Sequence, residues 1–165
     1  MPDWLADFRR LVAYSVSTGK MVQQAWDKSG FDASNILWID HTKGEYLLSR
    51  LSVGENTERY GLPEVVRVNV ATGQYNLVQR KNPIVSGWVA DSKGVIRAGL
   101  SSNRDNGKLR MLYRSNESEN FRTVYNAADS TFTESIPLPQ LFIPGTDNAY
   151  VISFTLPVTE FEIED

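Results

Sequence analysis

The sequence predicts an all-β chain, on three observations: apolar and polar residues alternate with a period of two along most of it, β-branched and aromatic residues fill one parity of those runs, and glycine-bearing turns separate them. The first two strands, near 9–17 and 20–26, flank Thr18-Gly19-Lys20. Strands near 35–40 and 45–53 flank Lys43-Gly44, and those near 64–70 and 74–80 flank Thr72-Gly73-Gln74. Lys93-Gly94 divides 84–90 from 95–101, and Asn106-Gly107 divides the latter from 108–114, which 121–126 follows. Strands near 139–143 and 149–156 flank Gly145-Thr146-Asp147-Asn148, with a last one near 159–164. Each turn supplies the positive φ that a tight hairpin requires. Only PDWLADF and FTESIPL could hold a helical turn.

At 165 residues with 41% apolar content, the chain can bury the core of one domain. The formal charge is −3 and its 17 basic residues are scattered through strands, so nucleic acid is not the expected partner. With no cysteine there is neither a disulfide framework nor a thiolate metal site, and the compartment stays open between cytoplasm and periplasm. The N-terminal MPDWLADFRRLVAY lacks the pattern of a signal peptide, and no apolar run approaches the roughly 18 residues of a membrane helix. A soluble chain without a membrane partner is expected.

LWIDHTKGEYLLSRLS, residues 37–52, returns as GWVADSKGVIRAGLSS, residues 87–102, with Trp38 and Trp88 standing 50 residues apart. SVSTGKMV returns as NVATGQYN, with Gly19 and Gly73 54 residues apart. Strands joined by short hairpins and repeated at this period predict antiparallel four-stranded β-propeller blades. One blade spans about 35–80 and a second about 84–126. Partial blades are expected at about 9–26, supplying outer strands, and about 139–165, supplying inner ones, so that a single partial propeller domain covers 1–165.

PEVVRVNVATGQYNLVQR, GWVADSKGVIRAGLSS and KLRMLYRSNESENFRTV, within residues 35–127, resemble the N-terminal propeller of the prolyl oligopeptidase family of serine peptidases, of the dipeptidyl-aminopeptidase and acylaminoacyl-peptidase type. The resemblance implies a propeller that caps an α/β-hydrolase domain and filters peptide substrates. The chemistry of that family needs a G-x-S-x-G nucleophile elbow and a basic His, and this sequence has no such pentapeptide. Its one His, His41, falls in a hairpin, so no catalytic residue carries over.

Other candidates read as structure. Asp40-His41 as an acid and base pair conflicts with strand alternation, which sends neighbours to opposite faces. Trp38 and Trp88 are expected to be buried between blades, in equivalent strands. Arg97, Arg110 and Arg114, on consecutive strands of one blade, are the candidates for a substrate-facing role, since guanidinium groups bind a peptide carboxylate bidentately. The competing reading is a solvated sheet face with cross-strand carboxylates. Asn103, Asp105 and Asn106 lack the closing Glu of a calcium loop, the glycines stand singly and form no phosphate cradle, and Asn116-Glu117-Ser118 fits a glycosylation acceptor by pattern alone. Neither a metal nor a cofactor is expected.

The leading expectation is therefore a non-catalytic, substrate-gating segment of such a peptidase, partnered by its hydrolase domain and inactive alone. A self-associating binding or scaffold module of propeller type is the alternative, because two whole blades cannot close a ring. TEFEIED of one copy is then expected to pair with RRLVAYSV of another.

Overall fold

A computed structural model describes residues 8–51, 62–102, 109–127 and 138–152, and these are all-β, with strands and turns but no helix. Two short sheets open the chain: β1 (Arg9–Arg10) runs parallel to β4 (Asp32–Ala33), and β2 (Val12–Tyr14) forms a hairpin with β3 (Met21–Gln23). The first four-stranded sheet follows as β5 (Asn35–Asp40), β6 (Glu45–Leu51), β7 (Pro63–Asn69) and β8 (Tyr75–Gln79). The second is β9 (Gly87–Ala90), β10 (Ile96–Ser102), β11 (Leu109–Tyr113) and β12 (Arg122–Ala127). In both, spatial order equals chain order and every pairing is antiparallel. A final hairpin joins β13 (Leu138–Phe142) to β14 (Ala149–Ile152).

The turns follow from local chemistry. Gly19, Gly44 and Gly73 adopt φ of 71°, 63° and 71°, and their amides bond the carbonyls of Ser15, Asp40 and Asn69 four residues back. An Asx side chain also stabilises the turn: Asp40 accepts from the amides of Thr42 and Lys43, Asn69 from those of Ala71 and Thr72, Asp91 from those of Lys93 and Val95. Each device is local, which is why the sequence exposes it.

Among the described residues, packing forms four layers with three seams. Ala25 and Ala33 pack on Tyr46, Leu48, Val66 and Val68, with Leu11 against them, and join the N-terminal segment to the first sheet. Leu47 and Val65 meet Val85, Trp88, Ile96 and Leu112 between the two large sheets. Ala98, Tyr113 and Phe142 join the second sheet to the last hairpin. Neighbours on both sides explain why β6 is a near-continuous buried run from Tyr46 to Arg50 instead of an alternating one.

Trp38 and Trp88 occupy the first strands of the two sheets, as their spacing predicts, and each pins the seam. Trp88 is 3% exposed and its indole N–H donates to the Pro63 carbonyl of the first sheet at 2.9 Å. Trp38 is only half-buried: its N–H reaches the Ser92 carbonyl at 2.9 Å, and its ring lies over Gly94 of the β9–β10 turn.

Besides the partial exposure of Trp38, which was expected to be buried, the strand assignments differ from the sequence reading in the N-terminal segment. The strand expected over 9–17 divides at Leu11, and β4 was not expected, because a two-residue parallel bridge has no periodicity to read. The Asn106-Gly107 turn, Asn103 and Asp105, the strand near 159–164 and all but the last residue of PDWLADF and FTESIPL lie outside the described residues.

Candidate functional site

Arg97 stands at an irregularity of β10. Ile96 pairs with Ala90 and Ala98 with Val89, so Arg97 is the extra residue of a bulge, which puts Ala98 on the same face as Arg97, toward the last hairpin, while Ile96 faces the first sheet. The side chain is buried between the second sheet and the last hairpin, 7% of the residue being exposed. Its Nε donates to the Arg114 carbonyl at 2.9 Å and Nη1 to Asp91 Oδ2 at 3.1 Å. Nη2 donates to Asp147 Oδ1 at 2.6 Å and to the Tyr113 hydroxyl at 2.5 Å. The Tyr113 hydroxyl in turn donates to Asp147 Oδ1 at 2.5 Å, and the Ser115 hydroxyl to Asp147 Oδ2 at 3.3 Å. The guanidinium also lies about 5 Å from the Tyr113 and Phe142 rings.

These contacts set the charge states. The Tyr113 hydroxyl, with Arg97 and Ser115, holds the Asp147 carboxyl below its ordinary value against the opposing effect of burial. Burial works to lower the Arg97 pKa, but the hydrogen bonds to Tyr113 and Asp91 outweigh it and the net shift is upward. The guanidinium therefore stays charged between two carboxylates.

The three arginine candidates do not converge. Arg114 is joined to Arg97 by reciprocity: its Nε donates to the Ile96 carbonyl at 2.8 Å while its guanidinium lies 4.5 Å from the Phe121 ring centroid. Burial lowers the Arg114 pKa, partly opposed by the charge of Glu117. Arg110 pairs with Ser101 and Asn126 near the other end of β11, four residues and so roughly 13 Å along the strand. Arg97 does border a cleft of about 280 Å³ with Lys93, Phe142, Thr146 and Asp147, yet its donors are directed at the protein's own acceptors. The site is an ion-paired clamp across a seam. The solvated sheet face offered as the competing reading does not describe Arg97 either.

Arg50 repeats the device one layer earlier. On β6, its Nε and Nη2 contact Glu64 Oε1 at 3.0 and 2.9 Å, while Nη1 donates to the carbonyls of Ala25 and Asp27, each at 3.0 Å. Its guanidinium stacks 4.2 Å from the Tyr75 ring centroid. Sequence reasoning missed both clamps, since Asp147 is 50 residues from Arg97 and the Ala25 carbonyl 25 from Arg50.

Asp40 and His41 form no acid and base pair: Asp40 Oδ1 accepts from the Thr42 hydroxyl at 2.6 Å and from two turn amides, and the hydroxyl is the main cause of its lowered pKa. Asn116 closes the turn after β11, with its Oδ1 accepting from the Ser118 amide and hydroxyl. Among the described residues no cluster of His, Cys, Asp or Glu could hold a metal ion, and no helix is long and apolar enough to cross a membrane. No family model, curated protein or solved structure matches the chain.

Proposed function

We propose that the chain is a non-catalytic β-propeller segment of the kind that gates substrate in the prolyl oligopeptidase family, two of its sheets being whole blades and its end hairpins partial ones. The observation that carries the reading is the succession of two four-stranded antiparallel meanders, each placing a Trp of its first strand at the seam with its neighbour. Of the three arginine candidates for contact with peptide, Arg97 and Arg114 donate to the protein's own acceptors, which leaves Arg110 as the candidate contact. The test has two arms. The purified chain is expected to cleave no peptide or ester and to take up no fluorophosphonate label, and the reading frame downstream is expected to encode G-x-S-x-G followed by Asp and His. Stoichiometric labelling of a serine overturns the non-catalytic reading; a frame without the elbow overturns the peptidase relationship.

The uncovered apolar side chains of the end hairpins favour the second reading, a self-associating module. Tyr14 and Met21 are 60% and 70% exposed at one end, and Leu141 and Tyr150 are 55% and 65% exposed at the other.

A further inference from the structure

We propose that the groove beside β2 receives the β13–β14 hairpin of a second copy of this chain, β14 pairing antiparallel with β2 to complete a four-stranded sheet across two molecules. The proposal rests on the self-associating reading above. The two whole sheets define a unit of four strands, while among the described residues the end hairpins β2–β3 and β13–β14 have two each. The N-terminal hairpin precedes β5 as β7–β8 precedes β9, so it supplies the outer pair of a unit. The C-terminal hairpin follows β12 as β9–β10 follows β8, so it supplies the inner pair.

The place of the missing inner pair is visible. A groove of about 330 Å³ runs beside β2 over the first strands of the first sheet, lined by Leu11, Val12, Ile36, Ile39, Tyr46 and Val70 among others. Ile36 and Ile39 of β5 are 43% and 49% exposed there. The required occupant is a two-stranded hairpin with an apolar outer face, and β13–β14 has one, with Leu141 opposite Tyr150 in register. Its other face, Phe142 and Ala149, is already used against the second sheet.

Among the described residues the facing edges carry no cover. Among the described residues β2 pairs only with β3 and β14 only with β13, and neither VAY nor AYVI contains a charge or a proline. Such edges template pairing with another chain. The faces fix the register: Ala13 points inward to the first sheet while Val12 and Tyr14 point out, so Ala13 matches Tyr150 and Val12 matches Val151. Two copies then hold four whole sheets and two composite ones, six in all, within the usual range for a closed ring.

Light scattering on the 165-residue chain is expected to give twice 18.6 kDa, and Tyr150→Lys, at an exposed position that tolerates charge, is expected to halve that mass. Because the chain has no cysteine, Val12→Cys and Val151→Cys can be prepared separately, mixed and oxidised. The mixture is expected to form a disulfide dimer and neither variant alone. A wild-type monomer, or an assembly of more than two copies, overturns the proposal. A dimer that survives Tyr150→Lys, or that cross-links as readily in either single variant, overturns this edge while the self-associating reading stands.

Discussion

Replacing Gly99 by alanine tests the packing at the seam between the large sheets. Gly99 lies directly opposite Trp88 in the β9–β10 register, and a Cβ there would stand 2.8 Å from the indole ring and 3.1 Å from Val85. The ring cannot swing aside without losing its 2.9 Å bond to the Pro63 carbonyl and its contact with Phe121, centroids 5.3 Å apart. Forcing a methyl into a packed core costs about 1–3 kcal/mol. For a chain of this size that lowers Tm by roughly 2–12 °C. Gly87, in the same strand pair but with no atom within 4 Å of an added Cβ, is the matched control, and Gly87→Ala is expected to be neutral or to stabilise by up to about 1 kcal/mol. Urea denaturation followed by far-ultraviolet circular dichroism, at one protein concentration, compares the two. Adding Trp88→Leu to Gly99→Ala is expected to show a non-additive coupling of about 1 kcal/mol or more, since the steric partner is gone. Coincident midpoints for Gly99→Ala and Gly87→Ala would refute the argument.

Gly94→Ala is expected to destabilise more than Gly44→Ala in the same assay: both need left-handed φ, 75° and 63°, worth about 1–2 kcal/mol each, but only position 94 also meets Trp38, at 2.7 Å. Arg50→Met is expected to cost about 3–5 kcal/mol by stranding Glu64, whose side chain is 14% exposed, and Arg50→Met with Glu64→Gln to recover most of it in thermal melts. Asp147, with its folded pKa held below 3.8, contributes stability that is present above that pH and lost as pH falls through the folded value. The acid limb of a stability profile should therefore flatten in Asp147→Asn. Burial pushes the Tyr46 hydroxyl up to about 12 from 10.0, so its contribution is present below pH 10.0 and lost toward 12, and Tyr46→Phe should flatten the alkaline limb.

The sequence exposes features that a few neighbouring residues determine. Asp40 through Gly44 contains every atom of its turn except the flanking strands, and Gly19, Gly73, Gly94 and Gly145 likewise take the positive φ their contexts demand. The 50-residue spacing of Trp38 and Trp88 marked equivalent strands because the two sheets are built alike. The partial exposure of Trp38 was not readable, since it depends on how its ring meets the β9–β10 turn, at Ser92 and Gly94, more than 50 residues along the chain.

Arg97 shows the limit most sharply. Arg97 takes the face opposite Ile96, the one that meets the last hairpin, and the bulge brings Ala98 to that same side. A guanidinium in a seam needs fixed acceptors, because an unpaired buried charge costs several kcal/mol. Asp91 is available only because the β9–β10 turn holds it as a cap through Oδ1, leaving Oδ2 for Arg97. Asp147 is available only because the β13–β14 hairpin rests on Ala98 and Tyr113 through Phe142. Neither acceptor lies on the strand that carries the arginine, so the clamp arises when two layers, the second sheet and the last hairpin, are both in place. Its counterpart at Arg50 is met largely by main-chain carbonyls of the N-terminal segment, at Ala25 and Asp27, with the charge compensated by Glu64 on the adjacent strand. The two clamps thus hold the partial layers at opposite ends of the molecule onto the whole sheets beside them. Such anchoring is what the proposed pairing of β2 with β14 of another copy requires, since an edge is matched in register only when the layer that carries it is held in place.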